Sequence, residues 1–313
     1  MSALEQHLTD YLQLRRSLGH ELAEAGWLLP GLVAYLDAHG LSTVTIEAAL
    51  AWAQQAPKSP TGQVTTVGPR RMTAARGFAR YLCGIDARTE VPPPGLMPHR
   101  APWRRPFIYS AADIDALLAQ AHQTIVSPLR AATYQTLIGL LAASGLRIGE
   151  AIKLDRSDVD WAQDVLLIRE SKFGKSRLVP LHPSSMQALG NYARLRDQLQ
   201  PQPAEPAFFV SLNRKRLLYA VVQLTFRQLI NNAGIGAGAP SPPRLHDLRH
   251  SFAVRSLLGW YRAGEDVQSK IPSLSTYLGH REPASTYWYL SAAPELLALA
   301  AARQDTAWSA ARS

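Results

Sequence analysis

Apolar residues recur at spacings of three and four along most of the chain, a pattern typical of amphipathic helices. The stripes that predict helical structure within residues 3–38 are Leu4, Leu8, Tyr11, Leu12 and Leu14, followed by Leu28, Leu32, Val33 and Leu36. Gly40 ends this pair, and Ser42 or Thr43 can cap a third helix that runs through Ala53. A fourth helix is predicted from about Pro69 to Leu82, with its proline in the first turn.

A proline-rich segment interrupts the helical pattern. Residues 91–106 read VPPPGLMPHRAPWRRP, with six prolines among sixteen residues, so they cannot form regular structure. We therefore predict a helical domain over residues 1–90, a basic linker over 91–106 and a second domain over 107–313. The length of 313 residues favours two domains over one.

In the second domain the helical spacing of apolar residues gives way once to the alternating pattern of β-strands. Ser110 and Asp113 form a capping-box-like start for a helix through Ala121, and a long apolar helix spans 129–143 before Ser144-Gly145. Alternating residues around 165–170 and 177–181 predict a β-hairpin whose tip reads SKFGKS. Residues from Ser184 onward are predicted helical, with breaks at 201–206 and 234–243. The fold class is mainly α with a small β-hairpin (α+β).

Composition narrows the class of protein. No apolar run reaches the roughly 18 residues of a membrane span, and no signal-peptide pattern opens the chain. A single cysteine, Cys83, excludes an internal disulfide framework, fits a reducing cytoplasm and is expected in the core at a helix end. The formal charge of +9 indicates a polyanionic partner.

The positive charge is concentrated after residue 68. Residues 1–68 carry three Lys/Arg and six Asp/Glu, whereas 69–105 carry eight Arg and two acids. On the fourth helix we expect Arg70, Arg71, Arg76 and Arg80 to point outward and to contact DNA; a solvated helix face is the alternative. Arg104 and Arg105, in the linker, are expected to cross the DNA backbone.

Three short boxes carry groups suited to phosphodiester chemistry. They read Ser-Gly-Leu-Arg147-Ile-Gly-Glu150, His246-Asp-Leu-Arg249-His250 and Leu-Gly-His280, the last followed by Tyr289. Arginine forks match phosphate oxygens, imidazoles transfer protons near neutral pH, and a phenol can attack phosphorus. Together these groups can break and rejoin a phosphodiester bond without a metal or another cofactor.

The ordered boxes resemble the tyrosine recombinase (phage integrase) family, strongly over residues 107–291 and more weakly over 1–90. The resemblance matches Arg147, Lys172 on the hairpin tip, His246, Arg249, His280 and Tyr289 to the family's pattern. It implies a helical core-binding domain and a mostly helical catalytic domain that close as a C-shaped clamp on DNA. It also implies a tetramer on two synapsed recombination sites and action on nucleoid DNA in the cytoplasm.

The same resemblance implies a role for each side chain. Arg147 and Arg249 would clamp the scissile phosphate, and Tyr289 would attack it to leave a 3′-phosphotyrosine. His246 is the candidate base, Lys172 would protonate the departing 5′-oxygen, and His280 would bind the phosphate or orient the tyrosine.

Several neighbours compete for these roles. Lys175 is the alternative to Lys172, while His250 and Glu150 are expected to be structural or supporting. Tyr277 and Tyr287 are expected to pack in the core, because Tyr287 and Tyr289 lie about 200° apart on a helix and only one can face the phosphate.

One departure concerns spacing, because 31 positions separate Arg249 from His280. The extra length, residues 257–272, is more than Xer-like members usually have and favours a mobile-element integrase or transposase. It could form a longer helix and loop at a subunit interface. An apolar stripe after Pro294 (Leu296, Leu297, Leu299 and Ala300) is expected to join protomers.

Three other functions remain open from sequence. They are a DNA-binding relative without catalysis, a type IB topoisomerase and a metal-dependent nuclease. The last fits poorly, because no Asp/Glu cluster of two-metal type is evident.

Overall fold

A computed structural model of the chain describes residues 2–55, 66–97, 105–171, 175–280, 282, 286, 287 and 289, with only the backbone described at 170, 171 and 175. It divides into two compact units, Met1–Trp103 and Arg104–Ser313. No helix within these described ranges has the length and apolar character needed to cross a membrane.

The first unit is a four-helix assembly. Its helices are α1 (Ala3–Ser17), α2 (Ala23–Ala38), α3 (Ile46–Gln54) and α4 (Val67–Leu82). Leu32, Leu36, Ala49 and Phe78 are among the residues that close its core. Each helix buries one apolar stripe against the others, which accounts for the spacing of three and four in the sequence.

Three local predictions in this unit are wrong. Leu14 is half exposed rather than part of the α1 core stripe. Thr45, not Ser42 or Thr43, caps α3, because its hydroxyl accepts a hydrogen bond from the Ala48 amide. Cys83 is exposed at the C-cap of α4 rather than buried, since the helix ends before that position turns inward.

The second unit wraps helices around one buried helix. The elements are α5 (Ala111–Thr124), α6 (Pro128–Ser144), α7 (Ile148–Lys153), a 3-10 turn (Arg156–Asp158), α8 (Pro183–Leu199), α9 (Tyr219–Asn232), α10 (Leu245–Arg262) and α11 (Val267–Leu278). Helix α6 packs against α5, α8 and α10. It is apolar on most sides and lies in the middle of the core.

A three-stranded antiparallel sheet, ordered β1-β2-β3, carries the predicted hairpin. Its strands are β1 (Val159–Asp160), β2 (Val165–Ser171) and β3 (Lys175–Pro180), with Leu166 paired to Val179. The two-residue β1 has too short a pattern to be recognised from sequence. The predicted hairpin is confirmed, but its tip, residues 172–174, lies outside the described residues.

The segment between α8 and α9 corrects another prediction, since residues 207–218 are not helical. Two isolated β-bridges, Asp155 with Ala207 and Val210 with Arg216, replace a helix there. Phe208 and Phe209 pack on Tyr192, and the Arg196 guanidinium donates to the Phe208 carbonyl at 2.7 Å. Burial of two consecutive aromatic residues therefore determines the path of this segment.

The longer spacing between the second and third boxes has a simple form. Helix α10 continues to Arg262, a short turn follows, and α11 begins at Val267. The added residues extend two helices that pack on each other. A role for residues 257–272 at a subunit interface stays a prediction.

Candidate active site

The three sequence boxes meet where two helices of the second unit end. Helix α6 ends at Gly145 with φ of 62°, and α11 ends at Gly279 with φ of 69°. Both are left-handed C-caps, a conformation that glycine adopts without the cost of a Cβ. The backbone carbonyls that these ends expose become acceptors for the arginines of the site.

Arg249, in the second turn of α10, is 2% exposed and joins both helix ends. Its Nη1 donates to the Gly145 carbonyl and its Nη2 to the Leu278 carbonyl, each at 2.7 Å. Burial, followed by the charge of Arg147, lowers the pKa of Arg249 to about 10. The guanidinium stays charged at neutral pH, held by the negative ends of two helix dipoles.

Arg147, the N-cap of α7, is anchored differently. Its Nη1 donates to Glu150 Oε1 at 2.7 Å, and its Nη2 donates to the Gly279 carbonyl at 2.9 Å. The Arg147 amide also donates to Glu150 Oε2 at 3.0 Å, which completes the N-cap. The Arg147 side chain remains 28% exposed, so a ligand can reach its remaining donors.

Glu150 is a buried carboxylate shared by two arginines. Besides Arg147, it accepts from Arg177 Nη1 at 3.0 Å and Nη2 at 2.9 Å. Burial raises the pKa of Glu150, but hydrogen bonds and charge from Arg177, together with hydrogen bonds from Arg147, outweigh burial and leave that pKa below its usual value. The predicted supporting role of Glu150 matches these contacts.

Tyr289 is 2% exposed and lies beside Arg249, with which it forms a hydrogen bond. Burial raises the pKa of its phenol, while Arg249 and Arg147 oppose the rise. Tyr287 is 47% exposed, so the expectation that it packs in the core is wrong. Because residues two apart on a helix point about 200° away from each other, Tyr289 faces inward while Tyr287 faces solvent.

The third tyrosine, Tyr277, serves packing. Its ring stacks on Phe252 at 5.6 Å and its hydroxyl donates to the Pro180 carbonyl at 3.3 Å. Burial raises the pKa of Tyr277 to about 12. These contacts agree with the packing role expected for it.

Two histidines, His280 and His250, have rings near that of Tyr289, and a third, His246, lies beside His250. The His280 ring stacks at 6.1 Å from the tyrosine ring, and its Nδ1 is 2.7 Å from the Thr286 hydroxyl. The His250 ring lies 5.5 Å from the Tyr289 ring and 4.7 Å from the His246 ring. His250 thus stands between His246 and the tyrosine.

All three imidazoles are held in the neutral form. Burial, then the Arg249 and Arg147 charges, lowers the pKa of His280 to about 4. Burial and the neighbouring His246 lower the pKa of His250 to about 3. Desolvation and the Arg249 charge also lower the pKa of His246, although its side chain reaches solvent.

The structure therefore brings together five of the six predicted catalytic residues: Arg147, His246, Arg249, His280 and Tyr289. Lys172 lies outside the described residues, as does Arg104. Lys175, the alternative lysine, is described by backbone only. Arg105 is exposed.

Sequence reasoning missed two supporting side chains. Arg177 lay within the predicted strand at 177–181, and a charged residue inside an otherwise apolar strand was the available signal. Thr286, fully buried against His280, had no distinguishing signal in the sequence.

The arginines of α4 do not all point outward as predicted. Arg71 Nη1 donates to the Trp52 carbonyl at 3.0 Å, and Arg76 donates to the carbonyls of Pro92 and Pro93 at 2.7 and 2.9 Å. Both side chains are partly buried, and each donates to backbone carbonyls near the end of α3 or in the predicted linker. Arg70 is exposed and pairs with Glu24, and Arg80 is exposed.

Known proteins match this chain along most of its length. The phage integrase family model matches residues 109–295. A putative integrase/recombinase, y4rB of Sinorhizobium fredii, is 42% identical and the match covers 98% of this chain and 99% of that protein. The tyrosine recombinase XerD of Bradyrhizobium diazoefficiens is 27% identical over 95% of this chain and 87% of its own.

The fold has solved counterparts. The Tn1549 transposon integrase, solved in complex with transposon right end DNA, has a TM-score of 0.61 with 17% identity, covering 96% of this chain and 98% of that one. At that identity the likeness concerns the fold. Family model, sequence relatives and fold agree with the assembled boxes, and the chain belongs to the phage integrase family of tyrosine recombinases, enzymes that cut and rejoin DNA.

Proposed function

We propose that this chain is a site-specific integrase of a mobile element that acts through a 3′-phosphotyrosine formed on Tyr289. The observation that carries the proposal is the buried Tyr289 phenol, hydrogen-bonded to Arg249 and bordered by neutral histidines. A nucleophile, a cationic clamp and proton acceptors thereby share one site.

Cleavage is a displacement at phosphorus. The Tyr289 oxygen forms the new bond to phosphorus, and the bond from phosphorus to the 5′-oxygen breaks. Arg147 and Arg249 donate to the non-bridging oxygens and neutralise the charge that grows in the transition state. Because the phosphotyrosine retains the energy of the broken bond, a different 5′-hydroxyl can attack it and rejoin the strand without ATP.

The phenol must lose its proton, since burial raises its pKa. We assign the acceptor to the His246–His250 pair, with His246 at the solvent-exposed end. A histidine ring that is neutral at neutral pH has a free lone pair with which it can accept the proton. Lys172 protonates the departing 5′-oxygen, and His280, oriented by Thr286, holds the phosphate.

The partner proposed is double-stranded DNA that carries recombination sites. The Tn1549 integrase was solved with transposon DNA, and a lambda integrase dimer with a core site, which supports a similar partner here. We assign residues 1–90 to core binding, 91–106 to a linker and 107–313 to catalysis. Arg70, Arg80 and Arg105 are the exposed candidates for phosphate contacts.

Assembly is proposed as a tetramer on two synapsed sites, acting on nucleoid DNA in the cytoplasm, with accessory proteins as further partners. The predicted joining stripe after Pro294 lies outside the described residues.

The test is covalent capture on a duplex nicked near the cleavage position. Tyr289→Phe removes the nucleophile and keeps the ring, so it should bind DNA and form no adduct. Tyr287→Phe is the matched control, because that ring is exposed and should leave the adduct unchanged. An adduct that persists in Tyr289→Phe and is lost in Tyr287→Phe would move the nucleophile by two residues.

A wild-type chain that binds its site and never forms an adduct would favour the DNA-binding relative without catalysis. Relaxation of a random supercoiled plasmid without recombination would favour the topoisomerase.

A further inference from the structure

We propose that Arg177 is a positioning residue of the cleavage reaction, which fixes Glu150 and, through Glu150, the guanidinium of Arg147. This inference rests on the proposed role of Arg147 at the scissile phosphate. Among the described residues, the side-chain hydrogen bonds of Arg177 go to Glu150 and the Tyr277 carbonyl, neither of which reacts in the proposed mechanism.

The contacts of Arg177 span three elements. From β3, its Nη1 and Nη2 grip both oxygens of Glu150 on α7, while its Nε donates to the Tyr277 carbonyl of α11 at 2.9 Å. The Arg177 side chain is only 11% exposed. A buried, two-pronged arginine–carboxylate pair has a fixed geometry as well as strength.

Glu150 passes this geometry to Arg147. The same carboxylate oxygens that accept from Arg177 accept from Nη1 and the backbone amide of Arg147. Arg147 is further tied to the Gly279 carbonyl, two residues beyond the Tyr277 carbonyl that Arg177 holds. A closed ring of hydrogen bonds thus joins β3, α7 and the end of α11, with Arg147 as its exposed member.

Gly279 leaves the room that this ring requires. A Cβ at that position would lie 2.8 Å from Arg177 Nη1 and 2.9 Å from its Cζ. The glycine therefore has two functions, since it supplies the left-handed C-cap and lets the guanidinium pass against the backbone.

Arg216, outside the site, is the matched control for Arg177. It donates to the Ile152 carbonyl at 2.7 Å, the Leu154 carbonyl at 3.2 Å and Asp155 Oδ1 at 2.6 Å. Like Arg177, it joins α7 to a neighbouring segment through carbonyls and one carboxylate. Asp155, the carboxylate that Arg216 binds, holds no proposed catalytic group. Substitution of Arg216 therefore tests the loss of a structural arginine without a positioning role.

The experiment compares Arg177→Lys with Arg216→Lys at saturating DNA. Each lysine keeps the charge and loses the planar fork. The readout is the single-turnover rate of covalent adduct formation on a normal phosphate and on each methylphosphonate diastereomer. In the latter, a methyl group replaces one charged oxygen at the scissile position.

We expect Arg177→Lys to slow adduct formation roughly 100-fold on the normal phosphate, because a misplaced clamp loses orientation. On one methylphosphonate diastereomer the loss should shrink to about tenfold or less, since the charge that Arg147 neutralises is absent. Arg216→Lys should stay within about threefold of wild type on every substrate.

Three results would overturn the inference. They are a wild-type rate for Arg177→Lys, an equal loss in Arg216→Lys, or an Arg177→Lys loss that is the same on all substrates. Absence of any wild-type adduct would instead count against the proposed function. If Arg177→Lys does not fold, Glu150→Gln takes its place with the same substrate dependence expected, and a uniform loss or no loss in that variant overturns the inference.

Discussion

Arg147 and Arg249 share a proposed ligand and are held in contrasting ways. Arg147 is partly exposed and has a carboxylate partner, Glu150, whereas Arg249 is buried. Among the described residues, Arg249 hydrogen-bonds to two carbonyls and the Tyr289 phenol but to no carboxylate. Glu150, which Arg147 shares with Arg177, offsets part of the Arg147 charge through direct hydrogen bonds. Arg249 is held by carbonyl dipoles and Tyr289, and the Glu150 charge reaches it without a hydrogen bond between the two among the described residues.

This contrast indicates which arginine gains more free energy when the substrate phosphate binds. A buried cation without a carboxylate is costly, and a phosphate relieves that cost on binding. Arg147 contributes less in this way because Glu150, although shared with Arg177, already offsets part of its charge. Substitution of Arg249 is therefore expected to reduce activity more than substitution of Arg147.

The largest expected effect is on the reaction itself. Arg249→Lys should slow adduct formation roughly 1,000-fold and Arg147→Lys roughly 100-fold, because lysine lacks the fork and Arg249 also ties two helix ends. Single-turnover capture on the nicked duplex measures both. Equal losses would show that the contrasting anchors do not matter.

The second-largest expected effect is on the stability of the fold, and it should differ between the C-cap glycines Gly145 and Gly279. Gly145→Ala should destabilise the fold by roughly 2–4 kcal/mol, since the left-handed backbone resists a Cβ and the Phe252 ring blocks it. That Cβ would be 2.5 Å from Phe252 Cδ1. Gly279→Ala should cost roughly 1–2 kcal/mol, because the movable end of Arg177 is what it meets.

Urea unfolding of each glycine variant checks this order. Exposed Gly149, with open space around it, is the control, and Gly149→Ala should be neutral or stabilising. A larger loss at Gly279 than at Gly145 would contradict the argument.

An anion that binds Arg249 and Arg147 should stabilise the folded chain. At about 100 mM, sulfate should raise the Tm roughly 3–6 °C over chloride at matched ionic strength, because it binds only the folded chain. Arg249→Gln should remove the rise, and Arg147→Gln should leave part of it. Thermal scans decide; a full rise in Arg249→Gln would place the anion elsewhere.

The smallest effect concerns pH. The folded pKa values of His280, about 4, and His250, about 3, lie below that of a free imidazole, about 6.5. Between these folded pKa values and about pH 6.5, the unfolded chain therefore binds more protons than the folded chain. Stability is retained above about pH 6.5 and falls as pH drops through the pKa of His280.

Arg249→Gln should lose less stability between pH 7 and 5 than wild type, because the Arg249 charge helps to lower all three histidine pKa values. Arg147→Gln should show a weaker change. Unfolding midpoints at fixed ionic strength measure the difference, and identical pH slopes would refute it.

Sequence reasoning succeeded where chemistry or local pattern decides. The end of α6 at Gly145 and the hairpin follow from caps and alternation. The choice of Tyr289 over Tyr287 as nucleophile, made from the spacing of the resembled family, stays a prediction. Sequence reasoning failed where distant partners decide, as for Arg76, which binds the carbonyls of Pro92 and Pro93 sixteen and seventeen residues away. The grip of Arg177 on the Tyr277 carbonyl spans 100 positions, which no local pattern encodes.

The carbonyl anchors of Arg147 and Arg249 also set an order of events during synthesis. Arg147 is 132 positions from the Gly279 carbonyl, and Arg249 is 104 positions from the Gly145 carbonyl. Chains emerge from the ribosome amino end first, and contacts this distant form only after the intervening chain has collapsed. A nascent chain that has reached α10 holds both arginines, yet it lacks the Leu278 and Gly279 acceptors and Tyr289, the proposed nucleophile. On the proposed mechanism, competence to cut DNA therefore arises only after the chain through Tyr289 has been synthesised and the catalytic unit can fold.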